Sequence, residues 1–204
     1  MTKGPVIATD RLHLRPWRHT DDEPFANLNA DPDVMAHFAG VLSRAQSDAL
    51  ANRIREDIER RGFGFWAVEI PDVTPFAGFI GLSVPRFTAP FTPCVEIGWR
   101  LARAHWDQGY ATEGAAAALR FGFERLRLPE IVAFTAPGNA RSRRVMEKIG
   151  MARNPADDFD HPLVAEGHPL RRHVLYRVAN RVSAVGQALA AGEALRGRRA
   201  GDAR

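Results

Sequence analysis

Hydrophobic and polar positions alternate over residues 8–17, ATDRLHLRPW, and place Leu12 and Leu14 on one side of a predicted strand. Thr20-Asp-Asp-Glu23 then carries a helix-start signal: a capping residue, early acids and a Glu three positions on. That helix is predicted to run to about Asn29 and to stop at Asp31-Pro32. A second helix is predicted from Ser43 to Gly62, with Ala49, Ile54 and Ile58 on one face. The period then shortens to two. FGFWAVEI (63–70) and FAGFIGLSV (76–84), joined by PDVTP, predict an antiparallel hairpin, and CVEIGWRLA (94–102) a third strand. After the loop HWDQGYATEG (105–114) comes a helix of small and apolar residues over 111–126. IVAFTA (131–136) predicts a short buried strand, NARSRRVMEKIG (139–150) a helix ended by Gly150, and RRHVLYRV (171–178) a last strand. This order predicts an α+β fold with a mixed sheet and a strand–loop–helix unit at its centre.

Composition narrows the class. A chain of 204 residues, 45% hydrophobic and 25% charged, suits one soluble domain, expected over residues 1–178. Residues 179–204 are rich in Ala, Gly and Arg and are expected to form a basic tail, disordered or a marginal helix. No apolar run is long enough to span a bilayer, and the N-terminus lacks a signal-type apolar block. One cysteine, Cys94, precludes an internal disulfide framework. These features predict a cytoplasmic protein with no membrane partner. The sequence pI near 9.9 suggests nucleic acid, but residues 181–204 carry +3 of the net +4. The rest of the chain is nearly neutral, which argues against nucleic acid as a principal partner.

The loop at 105–114 has a chemistry of its own. Where a helix begins, free backbone N–H groups and the positive end of the helix dipole favour an anion. Gly109 allows close approach, Ala111 stays small and Thr112 adds a hydroxyl. A nucleotide P-loop would need GxxxxGK[ST], and the loop contains no Lys. A dinucleotide fingerprint would need GxGxxG, and Gly109 and Gly114 have the wrong spacing. Alone, such a loop is more often a turn that holds nothing.

A second segment changes the weighing. Downstream of W-x-x-G-Y-A-T-E lies N-x-x-S-x-x-V-x-E-K-x-G-M, from Asn139 to Met151. Together the two segments resemble the GNAT superfamily of acetyl-CoA-dependent N-acetyltransferases. TDRLHLRPW, DPDVM (31–35) and EIGWRL (96–101) resemble more narrowly its Rim-type branch, which includes ribosomal-protein N-terminal acetyltransferases. The resemblance spans residues 8–178. It implies a mixed, mostly antiparallel sheet flanked by helices, with acetyl-CoA as co-substrate, no metal, and a monomer or homodimer. It implies further that Gln108, Gly109, Tyr110, Ala111 and Thr112 cradle the pyrophosphate. Ile97, Gly98 and Trp99 would present backbone to the acetyl carbonyl and pantetheine, Asn139 would bond the cofactor arm, and Ser142 would sit near the thioester sulfur. The family pattern [QR]-x-x-G-x-[GA] starts here on Trp106, so no polar role is assigned to that position.

Direct transfer to an amine needs an oxyanion donor, a proton source for the thiolate and a base. Ser142 is the favoured acid over a helix serine that bonds its own backbone. Glu96, opposite Val95 and Ile97 in the strand, is the leading base; the alternative is a carboxylate paired with an arginine. Glu166 is a second-choice base. The segment 157–173 gathers Asp157, Asp158, Asp160, His161, Glu166, His168 and His173, which reads better as a polar loop beside the acceptor than as a metal site. Cys94 reads as a buried thiol, Phe65, Trp66 and Trp99 as core or groove wall, and Arg143 and Arg144 as phosphate ligands or solvent-facing arginines. The acceptor, a protein N-terminus or small amine, would be chosen by residues 20–62 and 155–170. Two other functions stay open on this evidence: a non-catalytic acyl-CoA-binding regulatory module, and a ribosome- or RNA-associated protein using the basic tail.

Overall fold

The computed structural model describes residues 4–180. The predicted tail lies outside the described residues from position 181 onward. Residues 179 and 180 belong instead to the domain, because the last strand runs to Ala179 and the Asn180 N–H donates to the Pro129 carbonyl (2.8 Å).

The first predicted strand is two short ones, β1 (Ile7–Ala8) and β2 (His13–Arg15), with Leu12 and Leu14 fully buried. The first helix, α1 (Asp22–Ala30), is entered through a 3-10 turn, His19–Asp21. Thr20 does not cap it. The N-cap position falls on Asp21, whose carboxylate is held by Arg15 (2.8 and 2.9 Å) and the Arg18 N–H (2.7 Å). A buried charge pairing outcompetes the local cap.

The second helix, α2 (Arg44–Arg61), begins as predicted. Ser43 Oγ accepts the Gln46 N–H, Gln46 Oε1 accepts the Ser43 N–H, and Gly62 ends the helix in the left-handed region. Its buried face is Ser47, Ala51, Ile54 and Ile58, whereas Ala49 is exposed. The spacing explains the correction: 47, 51, 54 and 58 follow the four–three–four rhythm of one helical stripe, and Ala49 lies off it.

Strands β3 (Phe65–Ile70) and β4 (Thr74–Ser83) form the predicted hairpin, and β5 (Glu96–Leu101) pairs antiparallel with β4 along its whole length. Helix α3 (Tyr110–Glu124) crosses to β6 (Glu130–Thr135), which lies parallel to β5. Helix α4 (Ala140–Lys148) follows. Two short strands, β7 (Ala152–Arg153) and β8 (Phe159–Asp160), were not predicted; both pair with β9 (Arg172–Ala179). The sheet order is β1-β2-β3-β4-β5-β6-β9-β7, with β8 paired to β9 off that path. Among the described residues only the β5–β6 pair is parallel.

That one parallel pair creates the site. β5 and β6 share one registered pair, Glu96 with Val132, next to a bond from the Val132 N–H to the Val95 carbonyl (3.0 Å). β6 is registered with β9 at six positions and β5 with β4 at six. The sheet therefore opens as a V beyond Glu96. From the upper ends of its two arms come α3 and α4, so both helix N-termini face the gap. Ligands of α/β sheets bind where neighbouring strands part at their carboxyl ends. Helix α3 lies close to the sheet because Gly114 has no side chain; a Cβ there would stand 2.5 Å from Ile80 Cδ1. The small-residue composition of 111–126 is thus a packing requirement of this helix.

Candidate active site

The V leads into a cleft of about 1410 Å³, large enough for a cofactor and a second substrate together. Its walls come from β5, the start of α3, the end of β6, the start of α4, the segment between α1 and α2, and the loop before β9.

Among the residues singled out from sequence, Glu96, Ile97, Gly98, Trp99, Gly109, Tyr110, Ala111, Thr112, Asn139 and Ser142 all line this cleft. Gln108 does not. Its side chain turns back to the Ala104 carbonyl (2.8 Å), and its own carbonyl accepts from Arg11 (3.0 Å). Glu166 is exposed and lies off the cleft wall, which removes the ground for it as a base.

The loop before α3 is preset. Gly109 has φ +85°, a conformation that a side chain resists, and its carbonyl accepts the Glu113 N–H (3.0 Å). Trp106, where the family pattern has Gln or Arg, donates its indole N–H to the Leu101 carbonyl (2.7 Å). Arg141 of α4 lies over the Trp106 ring (4.9 Å) and near Asp107 (3.6 Å), tying the two helix starts together across the gap. On the outer side, Glu113 accepts from Thr9 (2.6 Å) and Arg11 (2.7 Å). Burial alone would raise the Glu113 pKa, but these hydrogen bonds outweigh it and hold the carboxyl below its ordinary range. The N-terminal segment thereby clamps the first turn of α3 and leaves the N–H groups of that turn facing the cleft.

Asn139 caps α4. Its Oδ1 accepts the Ser142 N–H (3.2 Å) and its Nδ2 donates to Thr135 Oγ1 (3.0 Å). The side chain therefore has a structural role whatever else it touches. Ser142 is half-buried in the first turn of α4, on the cleft wall.

Glu96 stands at the closed end of the V. Burial raises its carboxyl to about 7, against a smaller opposing effect of a hydrogen bond with Ser83. The carboxylate-paired-with-arginine alternative is not what the structure has: among the described residues no arginine pairs with Glu96. A carboxyl that titrates near neutrality, in a cleft, suits proton transfer.

The wall from the chain's last third is aromatic. Phe87, Phe134, His161 and His173 face the cleft, with the two imidazoles 4.9 Å apart. Burial and the neighbouring His173 hold His161 at about 4, so this wall is uncharged at neutral pH. Phe91 and Phe159 back it. Sequence reasoning grouped His161 and His173 with five carboxylate or histidine neighbours; the fold brings only those two into the cleft. No cluster of three metal-ligating side chains occurs among the described residues. Cys94 is half-buried and burial pushes its thiol up to about 11, so it is protonated and unreactive at neutral pH. Phe65 and Trp99 line the cleft, while Trp66 is core, packed edge-on against Phe121.

A parallel pair that splays, with a glycine-started helix on one arm and an asparagine-capped helix on the other, defines an acyltransferase fold. The comparisons agree. Residues 11–152 match the acetyltransferase (GNAT) domain family, and the chain belongs to that family. It is an acetyltransferase of a family that uses acetyl-CoA. The uncharacterized protein YkkB of Bacillus subtilis (strain 168) is 36% identical over 152 residues, 74% of this chain and 87% of that protein. The FsC-acetyl coenzyme A-N(2)-transacetylase of Aspergillus fumigatus is 31% identical over 153 residues, 72% of this chain and 65% of that protein. The crystal structure of a GNAT-family acetyltransferase from Bacillus anthracis superposes with a TM-score of 0.71 at 26% identity, covering 86% of this chain and 99% of that one.

Among the cleft residues that escaped the sequence reading, Phe87 and Phe134 included, Arg100 is the one whose position the strand period gives away. Arg100 shares the face of β5 with Glu96, two pleats along. The two-residue period that placed Glu96 would have placed Arg100 as well.

Proposed function

We propose that this chain transfers the acetyl group of acetyl-CoA directly to a primary amine, either a protein N-terminal α-amine or a small amine, as a Rim-type member of its family. The single observation that carries the reading is the V between β5 and β6, with two helix N-termini and a neutral-titrating carboxyl, Glu96, around one cleft. The N–H groups of Gly109 to Thr112 suit a diphosphate. Arg144 and Lys148, which line the same cleft, add positive charge on the α4 side. The Aspergillus relative is named as an acetyl coenzyme A N(2)-transacetylase, which supports this donor and a nitrogen acceptor. TDRLHLRPW, DPDVM and EIGWRL support the Rim-type branch.

The chemistry needs no covalent enzyme intermediate. The amine nitrogen attacks the thioester carbonyl carbon, and the C–N bond forms as the C–S bond breaks. A backbone N–H of β5 beyond Glu96, freed by the splay, stabilises the developing oxyanion. Glu96 takes the proton from the amine, directly or through water, and the Ser142 hydroxyl protonates the departing thiolate; solvent water returns a proton to Ser142 as Glu96 releases its own to solvent, so both groups are restored. An α-amine, with a pKa of about 8 against about 10.4 for lysine, is more readily neutral for attack. The domain that does this runs through Asn180, as a monomer or homodimer in the cytoplasm. Among the described residues no helix is long and apolar enough to cross a membrane.

Titration calorimetry with acetyl-CoA, using ATP and NAD as controls, tests the donor. Micromolar binding of acetyl-CoA alone is expected. A folded protein that binds none overturns the reading. Thiol release with an amine panel then tests transfer.

A further inference from the structure

Among the described residues, Arg15 is fully buried and Arg100 half-buried on the cleft wall, and the two have very different surroundings. Arg15 shows what a structural one looks like here. It is 4% exposed and bonds Asp21 through two nitrogens and Glu69 through a third (2.7–2.9 Å), with the carbonyls of Pro16 and Pro75 completing the set. Its charge is fully compensated.

Arg100 has no such set. Among the described residues no carboxylate lies within salt-bridge reach of it. Its Nη1 donates to Asn29 Oδ1, and its Nε is buried without a partner. The guanidinium is sandwiched by Phe38 (4.2 Å) and Phe79 (5.3 Å). Asn29 is itself held, its Nδ2 donating to Ser47 Oγ (2.8 Å), so its oxygen is fixed on the arginine. Leaving a largely desolvated cation without a counter-charge is costly, and a guanidinium held by Asn29 and two aromatic rings on the cleft wall points to a partner that arrives later. Arg100 lines the cleft. Three other cations of the cleft wall are already occupied, Arg103 by Asp33, Arg86 by Asp57 and Arg141 by Asp107, while Arg53 on α2 and Arg144 and Lys148 on α4 carry no ion pair among the described residues.

Position suggests which ligand. Arg100 and Glu96 share one face of β5, away from Ile97, Trp99 and α3, and Gly98 between them carries no side chain. This is the face that looks towards α1 and the α1–α2 segment, and the start of α3 lies on the other. Four residues of strand separate the two positions by about 13 Å. We propose that Arg100 is a specificity-determining residue that binds a carboxylate of the acetyl acceptor, so that the acceptor is an amine carrying an acidic group several bonds away. An acidic peptide or an ω-amino acid fits this spacing better than an α-amino acid, whose two groups share one carbon. The inference rests on the acetyltransfer reading above.

The test is a thiol-release assay on matched acceptors. Short peptides and ω-amino acids are each supplied as the acid and as its neutral isostere, Glu against Gln, Asp against Asn, free carboxylate against amide. The expected result is that kcat/KM for the acids exceeds that for their isosteres about tenfold or more, the size of one charged hydrogen bond. Arg100→Met removes that preference and Arg100→Lys retains part of it, while calorimetry gives acetyl-CoA affinity within about twofold of the parent for both. The wild-type comparison stands even where a variant folds poorly. Equal turnover of acids and isosteres overturns the inference and leaves acetyl transfer intact, as does an unchanged preference in a folded Arg100→Met. Binding of acetyl-CoA with turnover of neither set also overturns it. Loss of acetyl-CoA binding in the parent removes the acetyltransfer reading itself.

Discussion

Glu96 concentrates the residue-scale argument. Its folded-state pKa of about 7 lies above its ordinary value of 4.5 because ionisation inside the cleft is opposed by burial. Between those two values the unfolded chain gives up the proton and the folded chain keeps it. The contribution of this group to stability is therefore whole below pH 4.5 and is lost as pH rises through about 7. Glu96→Gln is expected to leave stability unchanged at pH 4 and to raise it at pH 8 by up to about 3 kcal/mol, read by denaturant unfolding at the two pH values. Activity moves the other way. In the parent, kcat/KM climbs through a limb near pH 7, and Glu96→Gln lowers the rate and abolishes that limb. His161, held at about 4, contributes no limb between pH 5 and 9. Ser142→Ala is expected to lower kcat about tenfold to a hundredfold with acetyl-CoA affinity little changed, by stopped-flow thiol release. A uniform rise in KM with kcat kept would assign the hydroxyl to binding instead.

At the scale of elements, the helices were easier to read than the strands, for a physical reason. The cap at Ser43 and the stop at Gly62 are local chemistry, set within one turn of chain. The short strands β7 and β8 exist only because β9 offers them an edge, and nothing in ARNPADDFD alternates strongly enough to announce it. Thr20 had the right neighbours for a cap and lost to Asp21, which the preceding strand β2 recruited through Arg15. The strand–loop–helix unit at 94–126 combines both cases. Its glycine positions were visible, but their purposes differ: Gly109 serves backbone conformation and Gly114 serves contact with β4. Gly109→Val is expected to cost about 1–3 kcal/mol through a strained left-handed β-branched residue and to weaken acetyl-CoA binding at least about tenfold. Calorimetry beside thermal melts separates the two effects. Binding that stays at the parent level would mean that the loop takes no part in holding the cofactor.

For the whole molecule, the prediction concerns linkage. A ligand seated between α3 and α4 bridges both arms of the V and binds only the folded chain. At about a hundred times its dissociation constant, acetyl-CoA should add about 2.7 kcal/mol of stability. That corresponds to a rise in Tm of about 5–10 °C for a domain of this size, by differential scanning fluorimetry. A chain ending at Asn180 should show the same shift, since it retains the whole cleft lining and the contacts of Asn180 with Pro129, Phe123 and Leu128.

Local order along the chain was enough to predict the α+β class, the hairpin, the ends of α2, and the two segments at 105–114 and 139–151 that resemble the family. Those are properties of capping, of two- and 3.6-residue periods, and of motif spacing, all of which act between near neighbours. Only the tertiary structure decided that β5 and β6 run parallel and part after Glu96. That depends on where β6 docks, a contact between residues 36 positions apart. The same step sorted the candidates: Gln108 and Glu166 left the cleft, while Arg100 and the His161–His173 pair entered it. Whether a polar side chain faces a ligand or a neighbour is set by the elements packed around it, and those come from all along the chain.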